Sequence, residues 1–147
     1  MSEKQESAFR MSVTVKTEIA ANADAVWARL TDAAGYTSWN STLESLEGSI
    51  VLGGSVSMKV PEAPGRTFKV KVVAFEPGRL MVWRDGFFPM FEGSRIFTLT
   101  PRGARTTFEM SETFRGLMLP LIKKSLPDFG PIFDRYAADL KKVCESG

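Results

Sequence analysis

Apolar and polar residues alternate through most of the chain, and a period of two predicts β-strands. Residues 68–74 are the most regular example, with an apolar side chain at every second position. Turns rich in glycine and proline separate successive runs, which indicates an antiparallel meander. Seven strands are predicted, at residues 11–19, 43–52, 56–60, 68–74, 80–84, 94–100 and 105–114.

Helical spacing occurs in two places. Between the first two strands, Asn22 or Asp24 can cap a short helix that runs to Ala33, and residues 36–40 can form another helical turn. From about residue 117 the apolar spacing becomes three or four, which predicts a long C-terminal helix with a kink or restart near residues 124–130, at its internal prolines. Because only this helix is long enough to cover the sheet, we expect an α+β fold. In it, a curved seven-stranded antiparallel sheet wraps around the helix and leaves a hollow.

Hairpin geometry assigns side chains to the two faces of the sheet. With residues 76–79 as one turn, Val72 is expected opposite Trp83 and Ala74 opposite Met81. With residues 101–104 as another turn, the predicted pairs are Phe97–Phe108, Arg95–Met110 and Gly93–Glu112.

The hollow is expected to hold an apolar small molecule. For any single apolar residue in it, packing in an ordinary core is the plainer interpretation. The prediction of a cavity rests on the collective shape, because a ligand site is typically apolar with a few directed polar groups. The expected cavity residues are Trp27, Trp39, Val56, Met58, Val70, Val72, Met81, Trp83, Arg95, Phe97, Phe108, Met110, Glu112, Phe129, Phe133 and Tyr136. Met11, Val13 and Val15 are expected to extend the same surface.

Arg95 and Glu112 are the polar exceptions on the inner face, within reach of one another. They could form a structural ion pair, or they could anchor a polar group of a ligand. Glu112 or Tyr136 could also move a proton while Arg95 steadies an enolate. These three residues are the candidate catalytic residues, and whether any reaction is catalysed stays open.

Composition limits the other classes of function. The 147 residues suit one domain, residues 1–147, with residues 1–8 as a flexible tail. The net charge is +2 and the basic residues are dispersed, which argues against nucleic-acid binding. Stable membrane insertion is not expected, because no apolar run approaches roughly 20 residues. The polar N-terminus lacks the apolar core of a signal peptide and predicts a cytoplasmic protein.

The chain has no histidine and one cysteine, Cys144. This composition removes Ser-His and Cys-His dyads and every histidine-based metal site, so no metal or other cofactor is expected. The apolar loop at residues 87–91 could fold back onto the core or form a contact surface. A protein-interaction module and a weak homodimer therefore remain open as alternatives.

Three segments resemble the START-like superfamily, specifically its SRPBCC or polyketide cyclase/dehydrase group. They are residues 23–40 after the opening strand, residues 75–84 with the sequence Phe-Glu-Pro-Gly-Arg-Leu, and residues 97–116 leading into the terminal helix. The resemblance implies a helix-grip fold around an apolar cavity. It also implies a binder of lipid-like or polycyclic molecules or, alternatively, a polyketide cyclase or dehydratase. The histidines that some cyclases use have no counterpart here.

Overall fold

A computed structural model describes residues 2–146 as eight β-strands, four α-helices and two short 3-10 turns. The strands are β1 (Glu3–Glu6), β2 (Arg10–Ile19), β3 (Ser45–Gly48), β4 (Ser55–Lys59), β5 (Phe68–Glu76), β6 (Leu80–Phe87), β7 (Phe91–Arg102) and β8 (Arg105–Arg115). The helices are α1 (Ala23–Thr31), α2 (Tyr36–Trp39), α3 (Leu119–Ile122) and α4 (Phe129–Glu145), with 3-10 turns at Ala33–Gly35 and Lys123–Ser125.

All eight strands form one antiparallel sheet in the order β1-β2-β8-β7-β6-β5-β4-β3. Helix α4 packs against β2 and α1 and buries Phe133, Tyr136 and Leu140 in the core. The predicted α+β arrangement, a sheet holding a C-terminal helix, is therefore confirmed. None of the helices within residues 2–146 is long and apolar enough to cross a membrane.

The predicted strand count of seven is wrong by one. Glu3–Glu6, within the segment expected to be a flexible tail, pairs with β2, where Lys4 lies opposite Val13. Its four residues are all exposed, so backbone pairing rather than burial defines this strand and no apolar pattern predicts it. Strand β3 is also shorter than the predicted run at residues 43–52.

The β7–β8 hairpin is two residues out of the predicted register. Arg102 pairs with Arg105 across a two-residue turn that contains Gly103 at φ +66°, instead of a four-residue turn at residues 101–104. Arg95 consequently lies directly opposite Glu112 rather than Met110. Because the shift is an even number, the predicted faces are unchanged. Further pairs on the inner face are Phe97–Met110, Leu99–Phe108 and Gly93–Phe114.

The β5–β6 hairpin contains an irregularity that sequence patterning misses. Val72 lies opposite Trp83, as predicted, but the register shifts between Val72 and Ala74. Ala74 therefore pairs with Val82 rather than Met81. An extra residue in one strand of a pair is typical of a β-bulge, which bends the strand locally.

Helices α1 and α4 each begin at a residue whose side chain caps the helix. The Asn22 side chain accepts a hydrogen bond of 2.9 Å from the Ala25 backbone N–H at the start of α1. The predicted restart in the C-terminal segment is confirmed, since Pro127 separates the 3-10 turn from α4. Asp128 caps α4, and Pro131 lies in its first turn, where a missing N–H costs no helical hydrogen bond. This break matters because it lies beside the cavity.

Candidate functional site

A cavity of about 570 Å³ lies between the inner face of the sheet and the junction of the C-terminal helical segments. The sheet contributes residues from β4 to β8, the loop after β4 forms one rim, and the segment from α3 to the start of α4 forms the other. The lining residues are Thr42, Leu43, Met58, Val60, Glu62, Ala63, Arg66, Phe68, Val70, Trp83, Asp85, Phe91, Arg95, Glu112, Phe114, Ile122, Ser125, Leu126, Pro127, Phe129 and Ile132.

Some of the expected cavity residues lie at this cavity and others do not. Those that line it are Met58, Val70, Trp83, Arg95, Glu112 and Phe129. The structure places the rest elsewhere, with Val56, Val72, Met81, Phe97, Phe108, Met110, Phe133 and Tyr136 buried in the core and Trp27 and Trp39 packed partly buried against it. Met11, Val13 and Val15 are also buried.

The reason for this division is the position of α4. Its side chains Phe133, Tyr136 and Leu140 fill the hollow over most of the helix length, and each is 1% exposed or less. The space stays open near the N-terminal end of α4, where Pro127 interrupts the helical segment and Phe129 and Ile132 form the wall. The sequence pattern locates the hollow between sheet and helix but does not show how much of it the helix occupies.

Arg95 and Glu112 form a buried ion pair on neighbouring strands. The Arg95 Nε donates to Glu112 Oε1 at 2.7 Å, and their side chains are 15% and 11% exposed. The guanidinium also lies 5.0 Å from the centroid of the Phe133 ring. Burial is the largest single influence on the pKa of Arg95 and acts to lower it, but the charge and hydrogen bond of Glu112 together with Tyr136 and Tyr36 outweigh burial, so the pKa is raised. Arg95 therefore stays charged and pairs with Glu112.

Tyr136, a candidate proton carrier, does not line the cavity. Its hydroxyl donates to the hydroxyl of Tyr36 at 3.3 Å, and Tyr36 in turn donates to the Leu30 carbonyl at 2.6 Å. Burial raises the pKa of Tyr136, so its proton is held more firmly than in water. Tyr136 is thus part of a series of buried hydrogen bonds that runs through Tyr36 to the Leu30 carbonyl.

Asp85 is a cavity residue that the sequence analysis missed. It lies on β6 beside Trp83 and pairs with Gly93 on β7. Burial raises the pKa of Asp85 to about 6, the charge of Glu112 adds to this effect, and Arg95 opposes it. The predicted strand ends at Arg84, whereas β6 continues to Phe87. Continued alternation from Trp83 would have placed Asp85 on the inner face.

We call Asp85, Arg95 and Glu112 the polar wall of the cavity. Most of the remaining lining is apolar, and it includes a row of aromatic rings beside the polar wall in which Phe114 lies 5.9 Å from Phe91 and 5.3 Å from Phe129 between centroids. The site therefore combines a large apolar surface with a small, localised group of charges. This combination suits an apolar molecule that has a polar group at one end.

An antiparallel sheet that holds a long C-terminal helix, with a cavity left between them, is a helix-grip fold. Residues 10–145 match the family described as polyketide cyclase / dehydrase and lipid transport, and the chain belongs to that family. No curated protein matches the sequence.

Solved structures support the fold at low sequence identity. Norcoclaurine synthase from Thalictrum flavum is 17% identical, with a TM-score of 0.71 over 97% of this chain and 98% of that one. A START superfamily protein from Mycobacterium smegmatis is 18% identical, with a TM-score of 0.69 over 92% and 97%. The di-domain ARO/CYC StfQ from the steffimycin biosynthetic pathway is 13% identical, with a TM-score of 0.73 over 95% of this chain and 52% of that one.

Proposed function

We propose that this protein binds a hydrophobic small molecule, lipid-like or polycyclic, in the cavity beside the start of α4. The observation that carries the proposal is a space of about 570 Å³ with apolar walls and one polar wall. Ligand sites in proteins typically measure about 300–1,000 Å³ and have this composition. Family membership is consistent with such a ligand.

The apolar surface supplies most of the binding energy in this proposal. A ligand that buries about 300 Å² of apolar surface gains roughly 7.5 kcal/mol, before the cost of association is subtracted. The polar wall then acts mainly on orientation and selectivity, because Arg95 and Glu112 already satisfy much of each other's charge.

A pair of tryptophan variants on one strand tests the proposal. Val70 lines the cavity, whereas Val73 on the same strand is 38% exposed outside it. Val70→Trp should fill the cavity and weaken binding of Nile red, a neutral apolar dye, at least tenfold, whereas Val73→Trp should leave its affinity within about twofold. Equal dye binding by the two variants would place the dye outside the cavity and contradict the proposal. Native mass spectrometry of protein from its own host supplies an independent test, since a retained ligand is expected.

The second candidate function is a cyclase or dehydratase acting on a polyketide-like substrate. The observation that favours it is Asp85, a carboxyl group in a largely apolar cavity whose pKa of about 6 suits general acid–base transfer. Glu112 and Arg95 remain candidates beside it, and Tyr136 would need another residue to relay its proton. With a poly-β-ketone thioester as substrate, full turnover by both Asp85→Asn and Glu112→Gln would remove the carboxylates from such a mechanism.

A contact surface for a partner protein is the third candidate. Phe87 and Phe88, at the turn between β6 and β7, are 75% and 52% exposed, and Met90 is 44% exposed. Large exposed aromatic side chains at a turn are typical of interaction sites. These three side chains are therefore open to solvent, and the role of the loop as an interface stays a prediction.

A further inference from the structure

The carboxylate of Asp85 occupies a space that a glycine on the next strand leaves open. A Cβ atom on Gly93 would lie 2.7 Å from Asp85 Oδ1 and 3.3 Å from the Phe114 ring. Any side chain at position 93 would therefore displace the carboxylate or the ring. Gly93 itself is buried, so the carboxylate is held against the sheet and at the edge of the cavity.

The hydrogen bonds of the polar wall leave Asp85 with unused acceptor capacity. Glu112 accepts from Arg95 at 2.7 Å. Among residues 2–146, no side chain donates to this carboxylate, although it borders a cavity that can admit a ligand. Asp85 is half-buried, so a ligand that covers its carboxylate would leave this acceptor unsatisfied unless the ligand itself donates a hydrogen bond.

The charges around Asp85 are also unbalanced. On β8, Glu112 repels the carboxylate, and on β7 Arg95 attracts it but is already paired with Glu112. Glu92 on β7 adds repulsion, and it is held by Arg115 at 3.0 Å. The loop after β4 contributes one acid and one base to the rim, Glu62 and Arg66, while the lining residues from the helical segments are all uncharged. Ionised Asp85 therefore gives the polar wall a net charge of −1.

We propose that Asp85 selects ligands whose polar end donates a hydrogen bond, an amine or a hydroxyl, and disfavours ligands that end in a carboxylate. The inference rests on the cavity function proposed above and names the chemical class of its ligand. A protonated amine both donates to the carboxylate and neutralises the net charge, whereas a carboxylate is repelled by Asp85 and Glu112 together.

The selectivity should depend on pH. Because the pKa of Asp85 is about 6, the group is mainly ionised at pH 8 and mainly protonated at pH 5. The protonated acid can itself donate a hydrogen bond, so a ligand carboxylate loses one repulsive neighbour and gains a donor. The preference for amine over carboxylate should therefore shrink on acidification.

A matched set of probes tests the assignment: 2-(2-naphthyl)ethylamine, 2-(2-naphthyl)ethanol and 2-naphthylacetate share one apolar body and differ in the polar end. For the wild-type protein at pH 8, calorimetry should show the amine and alcohol binding at least tenfold more tightly than the acetate. Asp85→Asn should reduce this preference to about threefold or less. Glu62→Gln removes one negative charge from the exposed rim and should change the preference by less than about threefold.

The outcomes separate this inference from the function on which it rests. Equal binding of all three probes by the wild type would overturn the role of Asp85 and leave the cavity function standing. Equal effects of Asp85→Asn and Glu62→Gln on the preference would also overturn the role of Asp85 and leave the cavity function standing, because any nearby negative charge would then explain the preference. If none of the three probes binds, the cavity function and the inference fail together.

Discussion

Replacing Glu112 with leucine should destabilise the fold strongly, because it leaves the Arg95 guanidinium buried without its counter-charge. The two side chains are 11% and 15% exposed and are joined by a 2.7 Å hydrogen bond, so neither is well solvated. Removing one partner of such a pair typically costs about 3–5 kcal/mol. The cavity borders this pair and admits water to it, so we expect the lower end, about 3 kcal/mol.

A double-mutant cycle measures whether the ion pair itself is responsible. Arg95→Met should also destabilise, through the unpaired Glu112 and the lost contact with the Phe133 ring. The double variant should cost less than the sum of the two single variants, since apolar replacement of a whole buried pair is often neutral.

Urea unfolding and thermal melts supply the assay for this cycle. A loss of about 3 kcal/mol corresponds to a fall of about 9 °C in the melting temperature for a chain of this size. The matched control is Arg79→Met, which breaks the exposed pair with Glu76 and should change the melting temperature little. Additive effects of the two single variants would refute the reasoning, because they would show that Arg95 and Glu112 do not interact.

Three further predictions follow from the same region. Gly93→Ala should lower the free energy of unfolding, measured in urea, by about 1–3 kcal/mol, because the new methyl group overlaps Asp85 and Phe114. Unchanged stability would show that the side chains around position 93 are not tightly packed. The folded-state pKa of Asp85, about 6, exceeds its ordinary value of 3.8, so this group lowers stability as pH rises from about 4 to 6. Asp85→Asn should remove this decline in stability. If the variant loses as much stability over this pH range as the wild type, another group causes the decline. The double variant Phe87→Ser, Phe88→Ser should abolish capture of any partner protein that binds through this turn, without lowering the melting temperature. Recovery of the same partners by the double variant would exclude the turn as the contact surface.

Fold class was predictable because it depends on patterns that repeat along the chain. Alternation in β2 and β4 to β8 and the change of spacing at about residue 117 both reflect burial of one face. Pro127 also indicated where the helix restarts, because proline has no backbone N–H to donate a hydrogen bond inside a helix. Strand β1 carries no such pattern, because its side chains are exposed and its backbone alone pairs.

The site was harder to predict because it depends on what the core leaves unfilled. Arg95 and Glu112 were identified because charges are unusual on an apolar face, and an even register error did not move them from it. Tyr136 and Phe133 have the same spacing as Phe129, yet only Phe129 reaches the cavity. Asp85 was missed because glycine, aromatic residues and a proline follow it, and the continuation of β6 depends on pairing with β7.

A crystal structure of the protein with 2-(2-naphthyl)ethylamine tests the central claim most directly. We predict electron density for the naphthyl group among Met58, Phe129 and Ile132, with the amine within hydrogen-bonding distance of the Asp85 carboxylate. Contradiction would come from a structure in which side chains of the α3–α4 segment fill this space, or in which the probe lies only on the outer surface.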